Sequence, residues 1–150
     1  MDIFEDAIMR YVAVDRSTLV IPQYDIEGGW ASLDFLGINW KKRIIHIIEV
    51  SSASKTQGLA NKINEAFEPG KHVTRLREQL HKDYGAEYDG WPVRVAVFIR
   101  HDNVEKFKAS LSAPVKDQID VLSIEDCVFP WKYWERVVGK DRSWDRPAAP

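Results

Sequence analysis

Two acids stand where acids are costly. Asp34 interrupts the apolar stretch SLDFLGIN, and Glu49 closes the run IIHIIEVS. Apart from His46, residues 44–48 are all isoleucine, which suits a strand buried on both faces. A carboxylate in such a run is expensive unless it is paired, hydrogen-bonded or bound to a metal. Side chains alternate along a strand, so Glu49 and Ser51 share a face. With the two strands adjacent, Asp34 and Glu49 converge. Mg²⁺ takes one or two carboxylates, with waters and substrate phosphate completing its shell. Such an ion orients or activates a water and neutralises charge on a phosphodiester under attack, a physical route to nucleic-acid cleavage. The structural alternative pairs Glu49 with Arg43, Arg94 or Arg100 and leaves Asp34 bonded to a backbone N–H.

The elements that position these acids follow from spacing. Asp2 and Glu5 make a near-capping box for a first helix with Phe4, Ile8, Tyr11 and Val12 on one face. Glu5 lies beside that stripe and complements the helix N-terminus. Residues 18–24 read as a strand, which Pro22 assigns to an edge. Glu27, Gly28 and Gly29 form a turn. Residues 30–38 and 43–51 read as two further strands, and the short links make the three an antiparallel meander. Ser54 and Gln57 offer a capping box for a helix with Leu59, Ile63 and Phe67, interrupted at Pro69 and Gly70. A second helical piece turns Val73, Leu76 and Leu80 inward and Arg75, Arg77, His81 and Lys82 outward, ending near Gly85. Residues 93–100 form a central strand. Asp102 then caps a helix with Val104, Phe107 and Leu111 inward, and residues 117–122 form a shorter strand. Residues 123–126 begin a turn or short helix. Pro130 opens a last helix with Trp131, Trp134 and Val138 on its apolar face. This order predicts an α/β (α+β) protein, a mixed central sheet flanked by helices, with the third strand at its centre.

The length of 150 residues implies one domain, taken as 1–139, with a polar, proline-rich tail at 140–150 expected to be disordered. The net charge of −2 conceals an asymmetry: residues 1–40 hold two basic and seven acidic side chains, residues 41–82 nine and four. A polyanion is drawn to that second segment, and Lys55, Arg75, Arg77 and Lys82 are the residues expected to meet phosphates. A solvated helix surface is the plainer reading of the same charges. No apolar run reaches transmembrane length, and the acidic opening MDIFEDAIMR is unlike the basic start of a signal peptide. The single Cys127 rules out an intramolecular disulfide, so a cytoplasmic protein with no membrane partner is expected. The four histidines have no zinc spacing.

Residues 21–51 resemble the PD-(D/E)xK, or restriction-endonuclease-like, superfamily: LDFLGIN resembles the first half of its motif and IIHIIEVS the second. The resemblance implies an αβββαβ core over residues 1–100. It implies Asp34 and Glu49 as metal ligands, the main-chain carbonyl of Val50 as a third, and Mg²⁺ or Mn²⁺ as cofactor. Some members add a glutamate from the first helix, where Glu5 stands. The family's lysine would orient the attacking water and stabilise the charged transition state; this chain has Ser51 there. Two accounts stay open: the lysine's function has migrated to Lys55, or the site no longer cuts. The resemblance accordingly implies a small metal-dependent nuclease, acting on DNA more than RNA, with Asp34, Glu49, Ser51, Lys55 and Glu5 as its catalytic set. The alternative is a catalytically inactive module on the same fold that binds DNA or a protein partner. A homodimer or partner subunit would supply specificity.

Overall fold

A computed structural model describes residues 2–27 and 33–128. Its strands β1 (Thr18–Pro22), β2 (Phe35–Asn39) and β3 (Ile44–Ser51) form an antiparallel meander. β4 (Val93–Ile99) and β5 (Ile119–Ser123) continue the sheet in parallel, in the order β1-β2-β3-β4-β5. Parallel neighbours require crossovers. The first is built by α2 (Gln57–Glu65) and α3 (His72–Tyr84), the second by α4 (Val104–Ala109) and the single turn α5 (Ala113–Lys116). α1 (Ile3–Ala13) and α6 (Ile124–Val128) pack on the opposite face. The protein is therefore of the α+β class, and β3 is its central strand. The succession α1, β1, β2, β3, then α2 with α3, then β4 follows the αβββαβ order that the resemblance implied, with two helices in place of one in the crossover.

Strand alternation sorts the core into two layers. Ile45, Ile47, Val95 and Val97 pack under Ile63, Leu76, Leu80 and Phe107. Ile48, Ala96 and Phe98 pack under Ile8, Tyr11 and Val12. Each Val, Leu, Ile or Phe side chain so buried contributes ~1.5–3 kcal/mol, which fixes β3 and the acid near its end. Gly37 belongs to the same layer: a Cβ there would stand 3.1 Å from Ile48 Cδ1. On this layer Arg94 and Asp120 form a fully buried ion pair, with Nε and Nη2 at 3.2 and 3.1 Å from Oδ2.

Several boundaries differ from the sequence expectation. The α1 capping box is present: Glu5 N–H donates to Asp2 Oδ1 at 2.8 Å and Asp2 N–H to Glu5 Oε2 at 3.0 Å. β1 is an edge strand, as Pro22 required. β2 begins only at Phe35, so Asp34 occupies a bend ahead of the ladder rather than the middle of a strand. The helix after β3 starts at Gln57, not Ser54, and Thr56 at its N-cap makes no side-chain capping bond. Gln57 Nε2 instead donates to Asn61 Oδ1 at 3.0 Å, one turn along the helix surface. Asn103, not Asp102, precedes α4, after a 3-10 turn at His101–Asn103, and Leu111 is buried beyond the helix end. α2 and α3 are separate helices, parted where Pro69 and Gly70 stand, with Gly70 at φ 75°. The turn at Gly28 and Gly29, the helix from Pro130 and the tail 140–150 lie outside the described residues.

Candidate functional site

The β2–β3 register decides where the two acids meet. Phe35 pairs with Ile48, and one step further Asp34 falls across from Glu49. Asp34 Oδ2 accepts the Val50 N–H at 2.8 Å, which pins this carboxylate to the next peptide of β3. Glu49 is 5% exposed and faces α2, in the layer of Ile45 and Ile47. From the second turn of α2, Lys62 extends its Nζ to 3.1 Å from Glu49 Oε1, keeping its own side chain partly in water.

The electrostatics follow from that geometry. Burial pushes the Glu49 carboxyl up to about 7. Lys62 opposes this by attraction and by its hydrogen bond, while the Asp34 carboxylate alongside adds to the rise. Two carboxyls and one ammonium leave the cluster one positive charge short. A proton on Glu49 meets the deficit, and so would a divalent cation. As donors for such a cation, Asp34, Glu49 and the Val50 carbonyl offer only oxygen, the chemistry Mg²⁺ takes. Among the described residues, no group of three or more His, Cys, Asp and Glu side chains is placed to hold a metal unaided. A metal here would complete its shell with that carbonyl, waters and substrate.

The other sequence candidates are distributed as follows. The arginines considered as partners for Glu49 are elsewhere: Arg94 is on the opposite layer with Asp120, Arg100 stands 3.6 Å from Asp102, and Arg43 is exposed in the β2–β3 turn. Ser51 ends β3, where its Oγ accepts the Ala53 N–H at 3.3 Å. Lys55 is exposed in the loop before α2. Glu5 serves the capping box of α1, on the other layer of the sheet. The outer face of α3 divides in two. Arg75 and Lys82 line a cavity of about 350 Å³ with Glu27 and Gln79, and Lys82 pairs with Glu27. Arg77 turns toward β4 and donates to the Trp91 carbonyl at 2.8 Å.

Lys62 is the residue that sequence reasoning passed over. Its signal was present: Leu59, Lys62, Ile63 and Ala66 follow the helical stripe, so a lysine there lies at the edge of the buried face.

No family model matches the chain, and a search of curated proteins finds no match either. Among solved structures, the chain is similar to the small subunit (R.BspD6I2) of the heterodimeric restriction endonuclease R.BspD6I. The TM-score is 0.43 at 14% identity, with 95% of this chain and 82% of that chain covered. No helix among the described residues is long and apolar enough to cross a membrane.

Proposed function

We propose that Asp34, Glu49 and Lys62 form the centre of a small metal-dependent nuclease that hydrolyses phosphodiesters, DNA before RNA. The observation that carries this reading is the trio itself: two converging carboxyls, one of them buried, with an ammonium reaching in from the next helix. Asp34, Glu49 and the Val50 carbonyl would hold Mg²⁺ or Mn²⁺, which would supply Lewis-acid neutralisation of the phosphodiester's charge. Lys62 does what Ser51 has no charge to do: it donates hydrogen bonds to the attacking water and to the oxygens that gain charge. Lys62 thereby takes the part assigned in sequence to Lys55, which is left to contact phosphate from the loop, with Arg75, Arg77 and Lys82 as further cations. A second copy or a partner subunit would let such a unit cut both strands of a duplex.

Supercoiled plasmid incubated with the full chain and Mg²⁺ or Mn²⁺ tests the reading. Nicking is expected, with loss in EDTA and in Asp34→Asn, a change that keeps an acceptor for the Val50 N–H. Nicking that persists in Asp34→Asn would assign it to another centre. A folded protein that retards DNA without ever cutting it would establish the inactive binding module instead.

A further inference from the structure

A second surface lies at the opposite end of the sheet from Glu49, where the β2–β3 turn meets the segment joining α3 to β4. Trp40, Tyr84, Tyr88 and Trp91 form one edge-to-face cluster. Ring centroids are 5.5 Å apart for Trp40–Tyr88 and for Tyr84–Tyr88, and 5.1 Å for Tyr88–Trp91. Tyr88 is buried and anchors the cluster to the core, while Trp40 and Tyr84 are each 46% exposed. Rings so buttressed yet left half in water are informative, because a core residue would be covered.

Cations flank the rings. Lys41 and Arg43 are exposed in the same turn as Trp40, and Arg43 has φ 55°. Arg77 comes from α3, bonded to the Trp91 carbonyl. Beside Tyr88 a pocket of about 220 Å³ has an apolar floor of Ile45 and Leu80 and a polar rim of Arg77 and Asp89. Besides Glu87, the acids near the rings are engaged by neighbours: Asp89 by His81 at 3.1 Å, Asp83 by Tyr24 and Gln79, and Asp15 by Thr18 and Asn39.

Exposed ring faces, cations beside them and a small pocket with a donor and an acceptor on its rim are the means by which proteins hold single-stranded nucleic acid. A duplex keeps its base faces inside the stack and has none to offer Trp40 or Tyr84. We infer that this end of the sheet binds a nucleic-acid single strand, with bases stacked on Trp40 and Tyr84 and phosphates against Lys41 and Arg43.

The surface shares Arg77 with the phosphate contacts proposed above but nothing with the Asp34, Glu49 and Lys62 centre, so binding here goes beyond the nuclease reading and does not need it. Where both hold, they are connected. The five steps from Ile44 to Glu49 span ~17 Å of strand, and α3 runs alongside for ~20 Å. That is about five steps of a stacked strand at ~3.4 Å each, so a strand held at the rings reaches the acids.

The test is fluorescence anisotropy of a labelled oligothymidylate titrated with the full chain in EDTA, which removes metal chemistry. Binding that weakens with salt is expected. Trp40→Ala should weaken it about 5- to 150-fold, the range that base–aromatic stacking carries, and Trp40→Phe should keep most of it. Lys41→Gln with Arg43→Gly should flatten the logarithmic salt slope by ~1.4, about 0.7 for each phosphate released. Circular dichroism checks each fold, and Tyr84→Ala is read in the same way if Trp40→Ala misfolds. No binding by the wild type, or a folded Trp40→Ala of unchanged affinity, overturns the inference. So does a Trp40→Ala that only disperses a dimer in sedimentation, which would assign the rings to a second copy. Ring-dependent binding without nicking defeats the nuclease reading alone, and nicking without it defeats this one alone.

Discussion

Replacing Glu49 by glutamine should make the protein more stable at alkaline pH. The Glu49 carboxyl is almost fully buried, and its pKa rises from the ordinary 4.5 to about 7, chiefly through burial, with Lys62 opposing and Asp34 adding. Below about pH 4.5 the group is protonated in both folded and unfolded chains and contributes nothing. Between 4.5 and about 7 the unfolded chain releases a proton that the folded chain keeps, so stability falls as pH rises. Above about 7 both forms are ionised and the loss is complete. At ~1.36 kcal/mol per pH unit, the loss is ~3 kcal/mol. Glutamine carries no charge, and its carbonyl still accepts from Lys62. Glu49→Gln should therefore match the wild type near pH 4 and exceed it by up to ~3 kcal/mol at pH 8, or about 6–12 °C in Tm. Urea unfolding in EDTA across that range measures the difference directly. Mg²⁺ should narrow the gap at pH 8, because an ion that binds only the folded wild type stabilises it. A wild type more stable than Glu49→Gln at pH 8 would refute the reasoning: the Glu49–Lys62 contact would then be an ordinary stabilising ion pair.

In the plasmid assay, Lys62→Ala should slow nicking by about 10²–10³-fold, the usual cost of removing one preorganised donor, whereas Lys55→Ala should stay within about twofold, since a phosphate contact on an exposed loop is one among several. The opposite ranking would return the role to Lys55. Away from the site, Asp120→Ala strands the buried Arg94 guanidinium and should cost ~3–5 kcal/mol in urea unfolding, while replacing the pair together, Arg94→Met with Asp120→Leu, should cost far less. Equal losses for both would mean that packing, not charge, governs that layer.

How much of this was legible in the sequence depended on the range of the interactions involved. The alternation in residues 44–51 put Glu49 and Ser51 on one face and the short β2–β3 link brought Asp34 toward Glu49, because both are local consequences of strand geometry, whereas the helix that covers that face is set by the crossover. The start of α2 was misleading for a tertiary reason. Ser54 and Gln57 have capping-box spacing, yet the loop is held otherwise: Thr56 is buried, and Asn103 Nδ2 donates to the Ala53 carbonyl at 3.2 Å from across the sheet end. That displaced start leaves Lys55 in the loop, and the lysine that reaches Glu49 is Lys62 on the second turn of the helix. The split of the α3 cations is helical arithmetic: Arg75 and Lys82 are seven residues apart and share a side, and Arg77 is rotated by ~200° from Arg75. The ring cluster had no sequence signal, since Trp40 is brought to Tyr84, Tyr88 and Trp91 only by the β3–β4 pairing. Arg94 could be separated from Glu49 only once the β3–β4 register was known, because His46, not Glu49, is its neighbour.

The central claim is that Asp34 and Glu49 hold a divalent cation with Lys62 beside it. A crystal of the full chain soaked in Mn²⁺ tests this most directly. The account predicts an anomalous peak between the two carboxyls, with oxygen ligands at about 2.1 Å that include the Val50 carbonyl. A gap without a metal, with the Lys62 ammonium as the sole cation on Glu49 at saturating Mn²⁺, would contradict it.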